Sequence, residues 1–159
     1  MNNGRARSIL LVEDDDGHAR LLEKHLDRCG LGDRLVRVAD GEEAIRYLGN
    51  TRTHAGSSSF GPGLILLDIQ MPRCNGFEVL TRIREDPAYQ YTPVIMLTST
   101  DSQREIDQAY RLGASGYVVK PVDAFAFAER VAKLGGFLDV LELPDQLSVG
   151  TTDGQPAVG

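Results

Sequence analysis

Cysteine is scarce in this chain, and no apolar stretch is long enough to cross a bilayer. Cys29 and Cys74 sit at no spacing that a metal site or a disulfide framework uses, so thiol chemistry is not expected and Cys29 reads as a small buried apolar residue. Basic residues are outnumbered, 17 Lys and Arg against 23 Asp and Glu. The resulting net charge of −6 leaves no basic face of the kind that grips nucleic acid. The first residues, Asn2-Asn3-Gly4-Arg5-Ala6-Arg7, lead into only a short apolar run, so a secretory leader is not expected. These absences point to a cytoplasmic protein with reduced thiols and with neither membrane nor nucleic acid as partner. A length of 159 residues at 42% hydrophobic content suits one compact core.

What the chain does have is a set of short apolar runs that end in polar residues. Leu64-Ile65-Leu66-Leu67 runs into Asp68, and Pro72 soon afterwards stops further strand pairing. Ile9-Leu10-Leu11-Val12 runs into Glu13-Asp14-Asp15, Val94-Ile95-Met96-Leu97 into Thr98-Ser99, and Tyr117-Val118-Val119 into Lys120-Pro121. Apolar runs of this length without alternation suit buried parallel strands, and in open α/β sheets the carboxyl edge of such strands is where chemistry collects. A lone acid there is most simply a solvated loop residue. Four strand ends converging on acids, a hydroxyl and a lysine are not required by a solvated surface.

Between these runs lie amphipathic segments with caps. Asp15 or Asp16 starts a helix running to Cys29, with Leu22 and Leu26 on its core side and Gly30 as its stop, while His18 and His25 fall off that stripe as surface or boundary residues. Leu35-Val36-Arg37-Val38 reads as an edge strand. Asp40 to Glu43, Asn75 to Glu78 and Ser102 to Glu105 each have the spacing of a capping box. The helices they start present Ala44, Ile45 and Leu48, then Val79, Leu80 and Ile83, then Ile106, Ala109 and Tyr110. Residues 49–63 are rich in breakers and lack any period, so a long loop is expected there with Phe60 pinning it. The expected organisation is an extension over residues 1–7, one domain over 8–144 and a flexible tail over 145–159, with no output domain following. The last helix of that domain carries Phe127, Val131, Leu134, Leu138 and Leu141 toward the core. Phe125, Val140 and Leu143 fall on its other side, near Phe137, and predict a symmetric homodimer through this second apolar face.

Taken in order, Val12-Glu13-Asp14, Asp68 followed by Met71-Pro72, Thr98 after its apolar run, and Gly113-Ala114-Ser115-Gly116-Tyr117-Val118-Val119-Lys120-Pro121 resemble the receiver domain of two-component response regulators. The resemblance covers about residues 8 to 134. It implies a (βα)5 flavodoxin-like fold of the α/β class, with a five-stranded parallel sheet of order 2-1-3-4-5 and helices on both faces. It also implies a phosphoacceptor that catalyses only its own phosphorylation and dephosphorylation, with a sensor histidine kinase as partner. The lone-domain layout, the long loop and the extended final helix resemble regulators that partner bacterial phytochrome kinases.

The chemistry fits that resemblance. Three close carboxylates repel by about 4 kcal/mol per pair at an effective dielectric near 20, and a divalent cation removes the penalty. Glu13, Asp14 and Asp68 offer oxygen ligands that suit Mg2+, and the resemblance adds the backbone carbonyl of Gln70. Glu13 stands where Asp is commoner in the family, so its longer arm reaches the metal either directly or through water. The resemblance makes Asp68 the nucleophile, Lys120 a positive charge on the phosphoryl oxygens, Thr98 a hydroxyl donor, Thr98 with Tyr117 a switch acting on the distal face, and Lys120–Pro121 a cis peptide. Gln70 takes the place where an aspartyl-phosphate phosphohydrolase would carry a second carboxylate. A nucleotide carrier of the same fold would need a phosphate cradle where Glu13-Asp14-Asp15 stands. A degenerate receiver serving only as a binding module is the remaining alternative, although Asp14, Asp68, Thr98 and Lys120 are all present.

Overall fold

The structure, a computed structural model, describes residues 7–28, 30–53 and 61–120. Cys29, Phe60 and Pro121 lie outside the described residues, as do Phe125, Phe137, Val140 and Leu143, and with them the cis peptide, the last helix and the dimer face. The described elements are β1 (Ile9–Val12), α1 (Asp16–Arg28), a 3-10 turn (Gly32–Arg34), β2 (Leu35–Val38), α2 (Gly41–Thr53), β3 (Leu64–Asp68), α3 (Gly76–Glu85), β4 (Val94–Thr98), α4 (Gln103–Arg111) and β5 (Gly116–Val119). All strand pairs are parallel, in the order β2-β1-β3-β4-β5.

Burial on both faces explains the unbroken apolar runs of the inner strands. Ile9, Leu11, Leu64, Leu66, Ile95 and Leu97 pack on one face with Leu22 and Leu26 of α1. Leu10, Val12, Ile65, Leu67, Val94 and Met96 pack on the other with Leu48 of α2, Val79 and Ile83 of α3, and Ala109 of α4.

Two of the three expected caps form. The Glu43 amide donates to Asp40 Oδ1 at 2.8 Å, and the Glu43 carboxylate turns back to the Ala39 amide. The Glu78 amide donates to Asn75 Oδ1 at 3.1 Å. Ser102 makes no such cap: its amide instead donates to Thr100 Oγ1 at 2.9 Å, which binds the start of α4 to the preceding loop. Tyr110 is 44% exposed rather than a core residue of α4, and its ring meets Tyr117 edge-on at 6.1 Å.

The expected loop from Gly49 is also corrected, because α2 continues through Gly49 to Thr53. Thr51 Oγ1 donates to the Leu48 carbonyl and meets the buried Tyr89 hydroxyl, which itself donates to Leu48 O at 3.1 Å. The Leu48 carbonyl, just before the glycine, thereby gains two hydroxyl partners that the glycine by itself would not supply.

Candidate functional site

The parallel register sets Val12 beside Leu67, Asp68 beside Leu97, and Thr98 beside Val119, so the next residues of each strand meet at one edge. Three polar side chains there are enclosed by the fold: Glu13 and Thr98 are 0% exposed and Asp68 1%. Buried acids need partners. Lys120, its side chain only 6% exposed, supplies them: Nζ donates to Glu13 Oε2 at 2.9 Å and pairs with Asp68 Oδ1 at 3.2 Å. Carboxylate oxygens of Glu13, Asp14 and Asp68 lie within 4.8 Å of one another, and Asp14 faces solvent.

Each acid is held from its own side. The second Glu13 oxygen accepts from the Asp15 amide at 3.1 Å. The Glu13 carbonyl takes two hydrogen bonds from Arg37 of β2, at 3.1 Å from Nε and 2.8 Å from the far guanidinium nitrogen, and the same guanidinium pairs with Asp16 at 2.9 Å. Asp68 Oδ1 accepts from the Gln70 amide at 3.3 Å. Behind it, α3 starts so close that a Cβ on Gly76 would stand 2.3 Å from the Asp68 carbonyl oxygen. Across the mouth, Ser99 Oγ donates to the side-chain oxygen of Gln70 at 2.7 Å. The Thr98 hydroxyl donates to the Thr100 carbonyl at 3.0 Å, away from the acids.

Burial, reinforced by the neighbouring Glu13 charge, raises the Asp68 carboxyl from its ordinary value of 3.8 to about 7, although Lys120 pulls the other way. For Lys120, burial favours loss of the proton, but the Glu13 hydrogen bond and the charges of Asp68 and Glu13 outweigh it, so its pKa is raised and the ammonium is retained. Fully ionised, three carboxylates and one ammonium leave two net negative charges, which one divalent cation balances. The donors are all oxygens, one group is open to solvent, and the arrangement suits a hard ion that keeps exchangeable waters. Because both Glu13 oxygens already accept hydrogen bonds, the freer ligand is Asp14.

The sequence-predicted Glu13, Asp14, Asp68 and Lys120 come together, with the Gln70 backbone beside Asp68 and Thr98 at the adjoining strand end. Tyr117 lies further down β5, against Tyr110. Sequence reasoning missed Arg37, Ser99 and His18. The amide of His18 donates to Asp15 Oδ1 at 2.9 Å, which caps α1, and His18 Nδ1 lies 3.2 Å from Lys120 Nζ. The cap was the one available signal, since it places His18 in the first turn of α1, over the carboxyl edge.

The sequence profile of the response regulator receiver domain matches residues 9–132. Response regulator Rcp1 of Synechocystis sp. is 30% identical over 137 residues, 86% of this chain and 92% of Rcp1. A solved Mn(2+)-bound form of Rcp1 superposes with a TM-score of 0.67 at 29% identity, covering 87% of this chain and 99% of that one. The bacteriophytochrome response regulator AtBRR has a TM-score of 0.71 at 34% identity over 82% of this chain and 94% of its own. The phosphorylated cyanobacterial phytochrome response regulator RcpA has 0.67 at 32% identity, over 87% and 98%. With the profile spanning residues 9–132, and relatives at 30% identity and above matching more than four-fifths of its length, the chain belongs to the response regulator receiver domain family.

Proposed function

We propose that this chain is a response regulator that accepts a phosphoryl group on Asp68 from the phosphohistidine of a sensor kinase, in a Mg2+-dependent reaction. The observation that carries this is the buried Asp68 carboxylate between Lys120 at 3.2 Å and the acids Glu13 and Asp14. An Asp68 oxygen attacks phosphorus as the donor's P–N bond breaks, the electron pair leaving with the imidazole nitrogen. Mg2+, when bound, neutralises charge on the transferring group. Asp14, Asp68 and the Gln70 carbonyl would hold it, with Glu13 beside them. Lys120 turns one N–H from Asp68 to a phosphoryl oxygen. Thr98 trades its bond to the Thr100 carbonyl for another phosphoryl oxygen, and Tyr117 moves with it, altering the face that Tyr117 shares with Tyr110.

Similarity to AtBRR, Rcp1 and RcpA supports a phytochrome-type kinase as the donor. Self-association through Phe125, Phe137, Val140 and Leu143 belongs to the same reading on sequence grounds. Loss of the dimer in Leu143→Glu, followed by light scattering, tests it. For phosphotransfer, the protein is incubated with Mg2+ and a small acyl phosphate, and the hydroxylamine-labile adduct is mapped. One adduct is expected on wild type and none on Asp68→Asn; a labile adduct retained by Asp68→Asn overturns the assignment.

A further inference from the structure

We propose that His18 is a positioning residue for Lys120, its Nδ1 lone pair accepting the third ammonium hydrogen. This rests on the reading of Asp68 as phosphoacceptor for its kinetic consequence, though not for the contact itself. A lysine ammonium has three donors and no acceptor. Among the described residues, three acceptor atoms surround Lys120 Nζ: Glu13 Oε2 at 2.9 Å, Asp68 Oδ1 at 3.2 Å and His18 Nδ1 at 3.2 Å. With Lys120 as donor, Nδ1 must carry the lone pair and Nε2 the proton. The His18 side chain is 40% exposed, and its ring is aimed by a backbone constraint, since its own amide is tied to Asp15 Oδ1.

The three partners differ in what the reaction does to them. Asp68 gives up its charge when its oxygen bonds to phosphorus, and Glu13 stands in the acidic cluster that a metal would occupy. His18 alone is claimed by neither event. It therefore keeps one N–H of Lys120 directed toward α1 while the others change partners, and the ammonium swings about a retained hydrogen bond. Without that acceptor, Lys120 settles between Glu13 and Asp68, where it competes with a cation for the same oxygens.

The substitutions separate an acceptor from mere bulk. Asn places a side-chain oxygen near the position of Nδ1, whereas Leu fills the space without one. His18→Leu is expected to slow Mg2+-dependent phosphorylation by the small acyl phosphate about three- to tenfold, the size of one hydrogen bond, and His18→Asn to restore most of the rate. Equal rates in wild type and His18→Leu, or equal losses in both variants, would overturn the positioning role. The contact is read separately, in unphosphorylated wild type without metal, by ring nitrogen NMR at a pH where the imidazole is neutral. A single tautomer with Nδ1 unprotonated is expected, and a mixture like that of free histidine would sink the proposal. A wild type that takes no phosphoryl group but shows the single tautomer would overturn the phosphoacceptor reading and leave the His18–Lys120 contact standing.

Discussion

Each end of the sheet encloses a cation, and the two are treated in opposite ways. At the carboxyl edge Lys120 faces Glu13, Asp68 and His18, groups that titrate, bind metal or change covalently. At the amino edge the half-buried Arg84 faces, among the described residues, backbone carbonyls: Gly113 at 2.9 Å, Tyr89 at 3.3 Å, Gln90 at 3.2 Å and Thr92 at 2.8 Å. Burial lowers the pKa of Arg84, although a guanidinium stays charged. Partners that cannot titrate or leave make a clamp. Partners that can do both make a site whose cation is free to exchange them.

Removing each cation tests this contrast. Lys120→Met in metal-free protein above pH 8 leaves two buried carboxylates unpaired and is expected to lose about 3–5 kcal/mol of stability in urea titrations. Acid or millimolar Mg2+ should recover much of that loss. Arg84→Met strands several carbonyls and is expected to lose about 3 kcal/mol, with no recovery from either treatment. Equal recovery in both variants would erase the distinction.

The raised carboxyl sharpens it further. Asp68 titrates near 3.8 when unfolded and at about 7 when folded, so between those values the native state binds more protons. Its contribution to stability is therefore full below pH 4 and is lost as pH rises through 7, by about 4 kcal/mol in metal-free protein. Asp68→Asn should flatten that slope, as seen by chemical denaturation from pH 4 to 8, and saturating Mg2+ should blunt it in wild type. The smallest effects concern helix starts outside both cation sites: Asn75→Ala should cost about 1 kcal/mol in thermal melts, and Ser102→Ala, which removes no cap bond, much less.

How legible each part was in the sequence depended on how local its cause is. Asp68 and Lys120 end apolar runs, so the strand reading carried them to a shared edge, and Asp40 and Asn75 cap through residues three positions away. Ser102 has the same spacing, yet Thr100 takes its amide instead, because the β4–α4 loop folds back through its own hydroxyls. The end of α2 was hidden for a different reason. Gly49 looks like a stop, and a hydroxyl that holds the Leu48 carbonyl beside it comes from Tyr89, distant in sequence. His18 was off the core stripe, as expected of a boundary residue. Its contact with Lys120 joins the first helix to the end of the last described strand, and no periodicity encodes that.

Gly76 leaves a mark that would appear in a population of sequences. Since any Cβ there would collide with the backbone of Asp68 and Ile69, α3 and the strand that delivers the acid have a fixed separation. In a library randomised at position 76 and sorted for folded protein, glycine should take nearly every surviving clone. A helix grafted here from another scaffold would have to bring a glycine as its first residue, whatever the rest of its sequence.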